Sequence, residues 1–110
     1  MYEYTASLII VIDGDTAILL IDLGLGIFKK EIIRLYGINT PELIGPQETK
    51  ALQAKNRLEQ LLTNKTLHIK TYKDKKDKYG RYIADIKTSD YTTTVTEILI
   101  SEKLGEEKLY

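Results

Sequence analysis

Ser7-Leu8-Ile9-Ile10-Val11-Ile12-Asp13-Gly14-Asp15-Thr16-Ala17-Ile18-Leu19-Leu20-Ile21-Asp22-Leu23 decides the fold. It is two β-branched, apolar runs, Ser7 to Asp13 and Thr16 to Leu23, joined by a Gly-containing turn, and that pattern predicts a hairpin. Gly24-Leu25-Gly26 breaks the pattern, and Ile27 to Tyr36 resumes it as a third strand. Pro41 and Gly45 punctuate the segment Thr40 to Gly45, which reads as a loop, and Pro46 suits the first position of a helix. Ala51, Ala54, Leu58, Leu61 and Leu62 recur at helical spacing, so one face of that helix is core, and Asn64-Lys65 closes it. Thr66 to Tyr72 alternates, with Leu67, Ile69 and Thr71 on one side and His68, Lys70 and Tyr72 on the other. Tyr82 to Thr88 is a fifth strand, and Val95 to Leu104 returns to helical spacing through Ile98, Leu99 and Leu104. A mainly β chain with two helices (α+β), one of them between the third and fourth strands, has the element order of a five-stranded OB-fold barrel.

At 110 residues the chain is read as one domain, 1–110, large enough for a single core without staples. It has no cysteine, which removes disulfides and thiolate metal sites from consideration. No charged N-terminal region precedes a long apolar stretch, so no signal peptide is read. The longest apolar run, Leu8 to Ile12, is far short of the roughly 20 residues that span a bilayer. The expectation is a cytoplasmic, monomeric protein with no membrane partner.

The net charge is zero, which by itself argues against a strongly basic nucleic-acid binder. The distribution is less even. Between Lys70 and Arg81, Lys70, Lys73, Lys75, Lys76, Lys78 and Arg81 face only Asp74 and Asp77, with Tyr72, Tyr79 and Tyr82 interleaved. Such a stretch suits a phosphate backbone with stacking surfaces beside it, and it equally describes a solvated lysine loop between two strands.

Three short segments carry the chemistry. Asp13-Gly14-Asp15-Thr16 and Arg34-Leu35-Tyr36-Gly37-Ile38-Asn39-Thr40-Pro41-Glu42 each follow a strand and can present oxygen ligands at its end. Asp77-Lys78-Tyr79-Gly80-Arg81 adds a cation. Singly, these are an ordinary turn, an ordinary loop and an ordinary surface arginine. Together, two acidic tips and two separated arginines suit a metal site that cleaves phosphodiesters.

In that order the motifs, with the helix Val95-Thr96-Glu97-Ile98-Leu99-Ile100 after them, resemble the staphylococcal-nuclease-like (thermonuclease) family over nearly the whole chain. The resemblance implies a nuclease that hydrolyses DNA or RNA with Ca2+. It implies that Asp15, Asn39 and the Thr40 carbonyl hold the ion, with Asp13 in its outer shell. Glu42 would position or deprotonate the attacking water. Arg34 and Arg81 would clamp the phosphate, with Arg81 also assisting the leaving group, and Lys78 and Tyr79 would contact nucleotide phosphate. The residue types fit that chemistry. Ca2+ takes carboxylate, amide and carbonyl oxygens, and a guanidinium stays charged and can bond two phosphate oxygens at once. The chain has only three arginines, and two fall in the motifs; Arg57, mid-helix, reads as a solvated-face residue. His68 is assigned no catalytic role, and Tyr36 is expected to pack rather than bind.

Two departures stand out. The family usually has aspartate where this chain has Asn39, so the site has one negative charge fewer. The family's third helix and the tyrosine-bearing segment before it are not expected within 1–110. The alternative reading is therefore an OB-fold module, catalytically weak or inactive, that binds nucleic acid or a protein partner.

Overall fold

The computed structural model describes residues 2–73, 76–90 and 92–108. β1 (Tyr2–Asp13), β2 (Thr16–Asp22) and β3 (Phe28–Leu35) form an antiparallel meander. A two-residue strand β4 (Ile38–Asn39) and a loop lead to α1 (Glu48–Leu62), and β5 (Leu67–Thr71) and β6 (Tyr82–Thr88) follow. α2 (Val95–Ser101) and a second two-residue strand, β7 (Glu106–Glu107), complete the order. The five long strands close into a barrel in the order β1-β2-β3-β6-β5, in which β3 and β6 alone run parallel. This is the expected five-stranded barrel with two helices.

Alternation fills the barrel. Ala17, Leu19 and Ile21 of β2, Ile33 and Leu35 of β3, Leu67 and Ile69 of β5, and Ala84 and Ile86 of β6 point inward and are buried. β5 shows the period-two pattern without a fault, with His68 and Lys70 exposed between buried neighbours. α1 contributes Ala51, Ala54, Leu58, Leu61 and Leu62, the face read from the sequence, and α2 adds Val95, Ile98 and Leu99 to the same core. Among the described residues no helix is long and apolar enough to cross a membrane.

Several boundaries differ from expectation. β1 begins at Tyr2 because residues 2–6 pair with β5, ahead of the pairing with β2 that starts at Thr5, a long-range partnership that local composition does not announce. α1 starts at Glu48, with Pro46 in the preceding turn and Gln47 as the cap residue. α2 stops at Ser101 because Lys103 turns left-handed at φ 61, and the N–H of Leu104 returns to the Leu99 carbonyl. Leu104 thus packs on the core from outside the helix. Arg57 is not simply solvated: it makes a two-bond pair with Glu102 at 2.8 and 2.9 Å that ties α1 to the end of α2.

The small β4–β7 sheet positions Asn39, whose register partner is Glu106. Gly14 brings the β1–β2 turn against the helix. A Cβ there would lie 2.7 Å from the Ala54 Cβ and 2.8 Å from the Thr40 hydroxyl oxygen, distances that side chains do not tolerate. Gly14→Ala should therefore push the turn away from α1 and destabilise the protein by about 1–3 kcal/mol, as overpacking does. Thermal melts beside the parent check this, and an unchanged midpoint would mean that the turn has room to move.

Candidate functional site

The β1–β2 turn, the end of β3 and the segment after β4 meet at one carboxylate. Oδ2 of Asp15 accepts from the Thr40 N–H at 3.0 Å and from the Thr40 hydroxyl at 3.1 Å. Oδ1 accepts from the Thr16 hydroxyl at 3.0 Å. The Asp15 carbonyl receives the Leu35 N–H at 2.8 Å, which locks the turn to the end of β3. Asp15 is buried, so an ionised carboxylate here depends on those donors and on a neighbouring cation.

Arg34 is that cation, and it is buried too. Its Nη2 donates to Oδ1 of Asn39 at 2.6 Å and lies 3.5 Å from Oδ2 of Asp15, while Nη1 donates to the Leu35 carbonyl at 2.7 Å. Five predicted site residues therefore belong to one connected group: Asp13, Asp15, Arg34, Asn39 and Thr40. Asp13 joins it by accepting the Asp15 N–H at 3.0 Å. Thr16, to which the sequence patterns assign no role, belongs to it as well.

The two aspartates titrate apart. Burial, a hydrogen bond shared with Asp15 and the Asp15 charge push Asp13 up to about 6. Burial would also raise Asp15, but the hydrogen bond with Asp13, the Arg34 charge, the Thr40 N–H and the Thr16 hydroxyl outweigh it and hold Asp15 below its ordinary value. Asp15 is thus the oxygen donor held ionised. Among the described residues no three carboxylate or imidazole side chains converge as a metal cage. The hard oxygens on offer are the Asp15 carboxylate, the exposed Asn39 amide and the Thr40 carbonyl. That donor set fits Ca2+, which accepts all three types.

Glu42 is exposed on the loop after Thr40, and no hydrogen bond or ion pair among the described residues ties it to this group. Arg81 belongs to a second cluster. Asp77 accepts the N–H groups of Tyr79 and Arg81 at 2.9 Å each and the Arg81 Nε at 3.0 Å, around a turn whose Gly80 has φ 77. The Arg81 guanidinium and the Lys78 ammonium each lie 5.1 Å from the centre of the exposed Tyr79 ring. The basic stretch is therefore not one free surface: Arg81, Lys78 and Lys76 all have partners, and Asp74 and Lys75 lie outside the described residues. Sequence reasoning gives Asp77 no role of its own; an aspartate two before an aromatic and three before a glycine is the turn signal that points to it.

The two clusters share a sheet. β6 starts at Tyr82, which pairs with Ile33, so Arg81 enters the barrel beside the end of β3 that carries Arg34. Tyr36 packs as expected, its ring stacked on Tyr72 at 3.6 Å. Exposed His68 lies in a depression of about 860 Å³ over β1, β5 and β6 that holds none of the predicted site residues. Glu3, Asp22, Asp85 and Glu97 outnumber Lys70 and Lys87 around it, a poor setting for phosphate.

Asp77 supplies a pH test. Burial alone would raise it, but the Arg81 and Tyr79 N–H groups and the Arg81 guanidinium hold it below its ordinary value of 3.8. A depressed carboxylate contributes stability above its unfolded pKa and loses it as pH falls through the folded one. The 77–81 turn should hold at pH 5 and loosen only in acid below the ordinary aspartate range. Side-chain carboxyl NMR checks this, with Asp77 expected to titrate below the ordinary value of 3.8; an Asp77 that titrates at or above that value would contradict it.

The family model described as staphylococcal nuclease homologue matches residues 32–107. A thermonuclease of Staphylococcus intermedius is 34% identical over 103 residues, which cover 91% of this chain and 57% of that protein. A thermonuclease of Staphylococcus hyicus is 31% identical over 110 residues, covering 97% and 58%. The chain thus spans a little over half the length of these relatives. The family match runs from β3 through β7, across Arg34, Asn39 and the Asp77 turn, and by it the chain belongs to the staphylococcal nuclease homologues.

Proposed function

We propose that the protein hydrolyses phosphodiester bonds of DNA or RNA with Ca2+ held by Asp15, Asn39 and the Thr40 carbonyl, Asp13 standing in the outer shell. The observation that carries the reading is Asp15 itself. It is a buried carboxylate kept ionised, and its hydrogen bonds draw Thr40, and with it Asn39, in from a separate segment. When bound, the cation supplies charge stabilisation for the phosphate oxygens.

The chain's own groups do the rest. Glu42, exposed and carboxylate-bearing, accepts a proton from the water whose oxygen attacks phosphorus while the bond to the leaving oxygen breaks. Arg34 and Arg81 donate to phosphate oxygens as negative charge grows on them. Arg81 is suited to this because Asp77 and Tyr79 already restrict its side chain, so little freedom is lost on binding. Lys78 and Tyr79, beside it, contact nucleotide phosphate.

One observation favours the runner-up, a binding module without turnover. Arg34 is occupied by Asn39 and the Leu35 carbonyl, and Asn39 leaves the site a carboxylate short. Incubating the protein with single- and double-stranded DNA and RNA, with Ca2+ and with chelator, separates the readings. Cleavage should appear only with Ca2+, and Glu42→Ala should lower it by about a hundredfold or more while leaving substrate binding in place. Cleavage that survives full chelation would overturn the metal-dependent reading, and binding without cleavage would establish the module.

Asn39→Asp tests the ligand set. Arg34 already donates to this position at 2.6 Å, so a carboxylate there turns that bond into an ion pair that offsets repulsion from Asp13 and Asp15 in the metal-free fold. A unit pair at 4 Å gains ~4 kcal/mol at an effective dielectric of about 20, so the Ca2+ midpoint of activity should fall by at least about tenfold. Equal midpoints for parent and variant would remove Asn39 from the ligands.

A further inference from the structure

Glu31 is a charge where packing alone favours an aliphatic side chain. It points inward from β3 at an open end of the barrel and is only 8% exposed. It lines a cavity of about 190 Å³ with Tyr4, Ile21, Ile33, Thr71 and Tyr82. Desolvating a carboxylate is costly unless cations accompany it. Here two do. Lys76 brings its ammonium to 3.1 Å from Oε1, and Lys29 lies 3.4 Å from Oε2, an atom without a hydrogen bond of good geometry among the described residues. The Lys76 ammonium also sits 5.8 Å from the Tyr82 ring centre. Lys76 therefore fits a carboxylate and an aromatic ring at once, as an alkylammonium ligand would.

The contact matters because of the residue beside Lys76 in the chain. Asp77 holds, with its carboxylate, the backbone of Tyr79 and Arg81 and the Arg81 guanidinium. The Asp77 N–H in turn donates to the Arg81 carbonyl at 2.7 Å. The segment 76–81 is thus internally tied, and the Glu31–Lys76 pair fastens it to β3. Arg34 lies three residues farther along that strand, about 10 Å at the rise of an extended chain.

We propose that Glu31 is a positioning residue: through Lys76 it anchors the 76–81 segment to β3 and so sets where Arg81 stands relative to Arg34. Its consequence for turnover rests on the phosphodiesterase reading; the anchoring does not. Simple electrostatics points the other way. Removing an anion from a protein that binds phosphate strengthens binding, whereas removing an anchor misplaces a transition-state donor, and small misplacements cost up to about a hundredfold.

The experiment compares Glu31→Gln, which keeps size and removes charge, with Lys76→Met, Lys76→Arg and the double variant Glu31→Gln/Lys76→Met. Hydrogen exchange at the Tyr79 and Arg81 amides is followed beside global melts, and kcat and KM are measured with Ca2+. The expected result is faster exchange at those two amides in Glu31→Gln and Lys76→Met, by about tenfold, with kcat lowered about tenfold and KM changed much less. Lys76→Arg should keep both near parental values, and the double variant should be no worse than either single one. Unchanged exchange at Tyr79 and Arg81 in Glu31→Gln would overturn the proposal, and so would raised turnover. If the parent cleaves nothing, the phosphodiesterase reading fails by itself, and the exchange rates still decide the anchor.

Discussion

The ionised carboxylate of Asp15, buried at the meeting of three segments, is the constraint on which the rest depends. Its oxygens collect the Thr16 hydroxyl and both donors of Thr40, and it sits beside a buried guanidinium. Without those partners a charge at this depth would protonate or pull the turn outward. With them, the β1–β2 turn, the end of β3 and the segment leading to α1 are fixed to one point. Gly14, pressed between Ala54 and Thr40, shows how little slack that point has.

Arg34 gives the arrangement its balance. It neutralises Asp15, satisfies the Asn39 amide and caps the Leu35 carbonyl, so the metal-free protein carries its own internal cation. On the proposed reading, two of those oxygens, from Asp15 and Asn39, are also ones the cation would take. Where the third donor is an amide, the pull on such a cation is weaker by one charge, and the guanidinium is the stronger competitor. The second cation, Arg81, is built quite separately, from a turn wound around Asp77. The two come together where β3 and β6 run parallel, with Ile33 opposite Tyr82.

Much of this was legible in the sequence because it is periodic or local. Five barrel strands and the buried faces of both helices follow from alternation and from spacings of three and four. The Asp13-Gly14-Asp15-Thr16 and Arg34 to Glu42 segments marked the group that meets at Asp15. What was not legible depends on distant partners. Residues 2–6 become strand by pairing with β5, and β4 and β7 are two residues each, too short for any period. The early end of α2 is set by left-handed Lys103, and the start of α1 by a turn that absorbs Pro46. Glu31 follows two lysines with no motif to mark it, and only the closed barrel turns it inward. The Arg34–Asn39 bond has no local signal either, since residues five apart across a turn meet only in the right geometry.

A double-mutant cycle of Asp15→Asn and Arg34→Gln, read by equilibrium unfolding in chelator and again in Ca2+, tests the joint at Asp15 most directly. Contacting buried charges should couple by more than ~1 kcal/mol in chelator, and the coupling should shrink when Ca2+ competes for the same oxygens. Effects that add within ~0.3–0.5 kcal/mol in chelator would contradict the account, because Asp15 and Arg34 would then be neighbours without being partners.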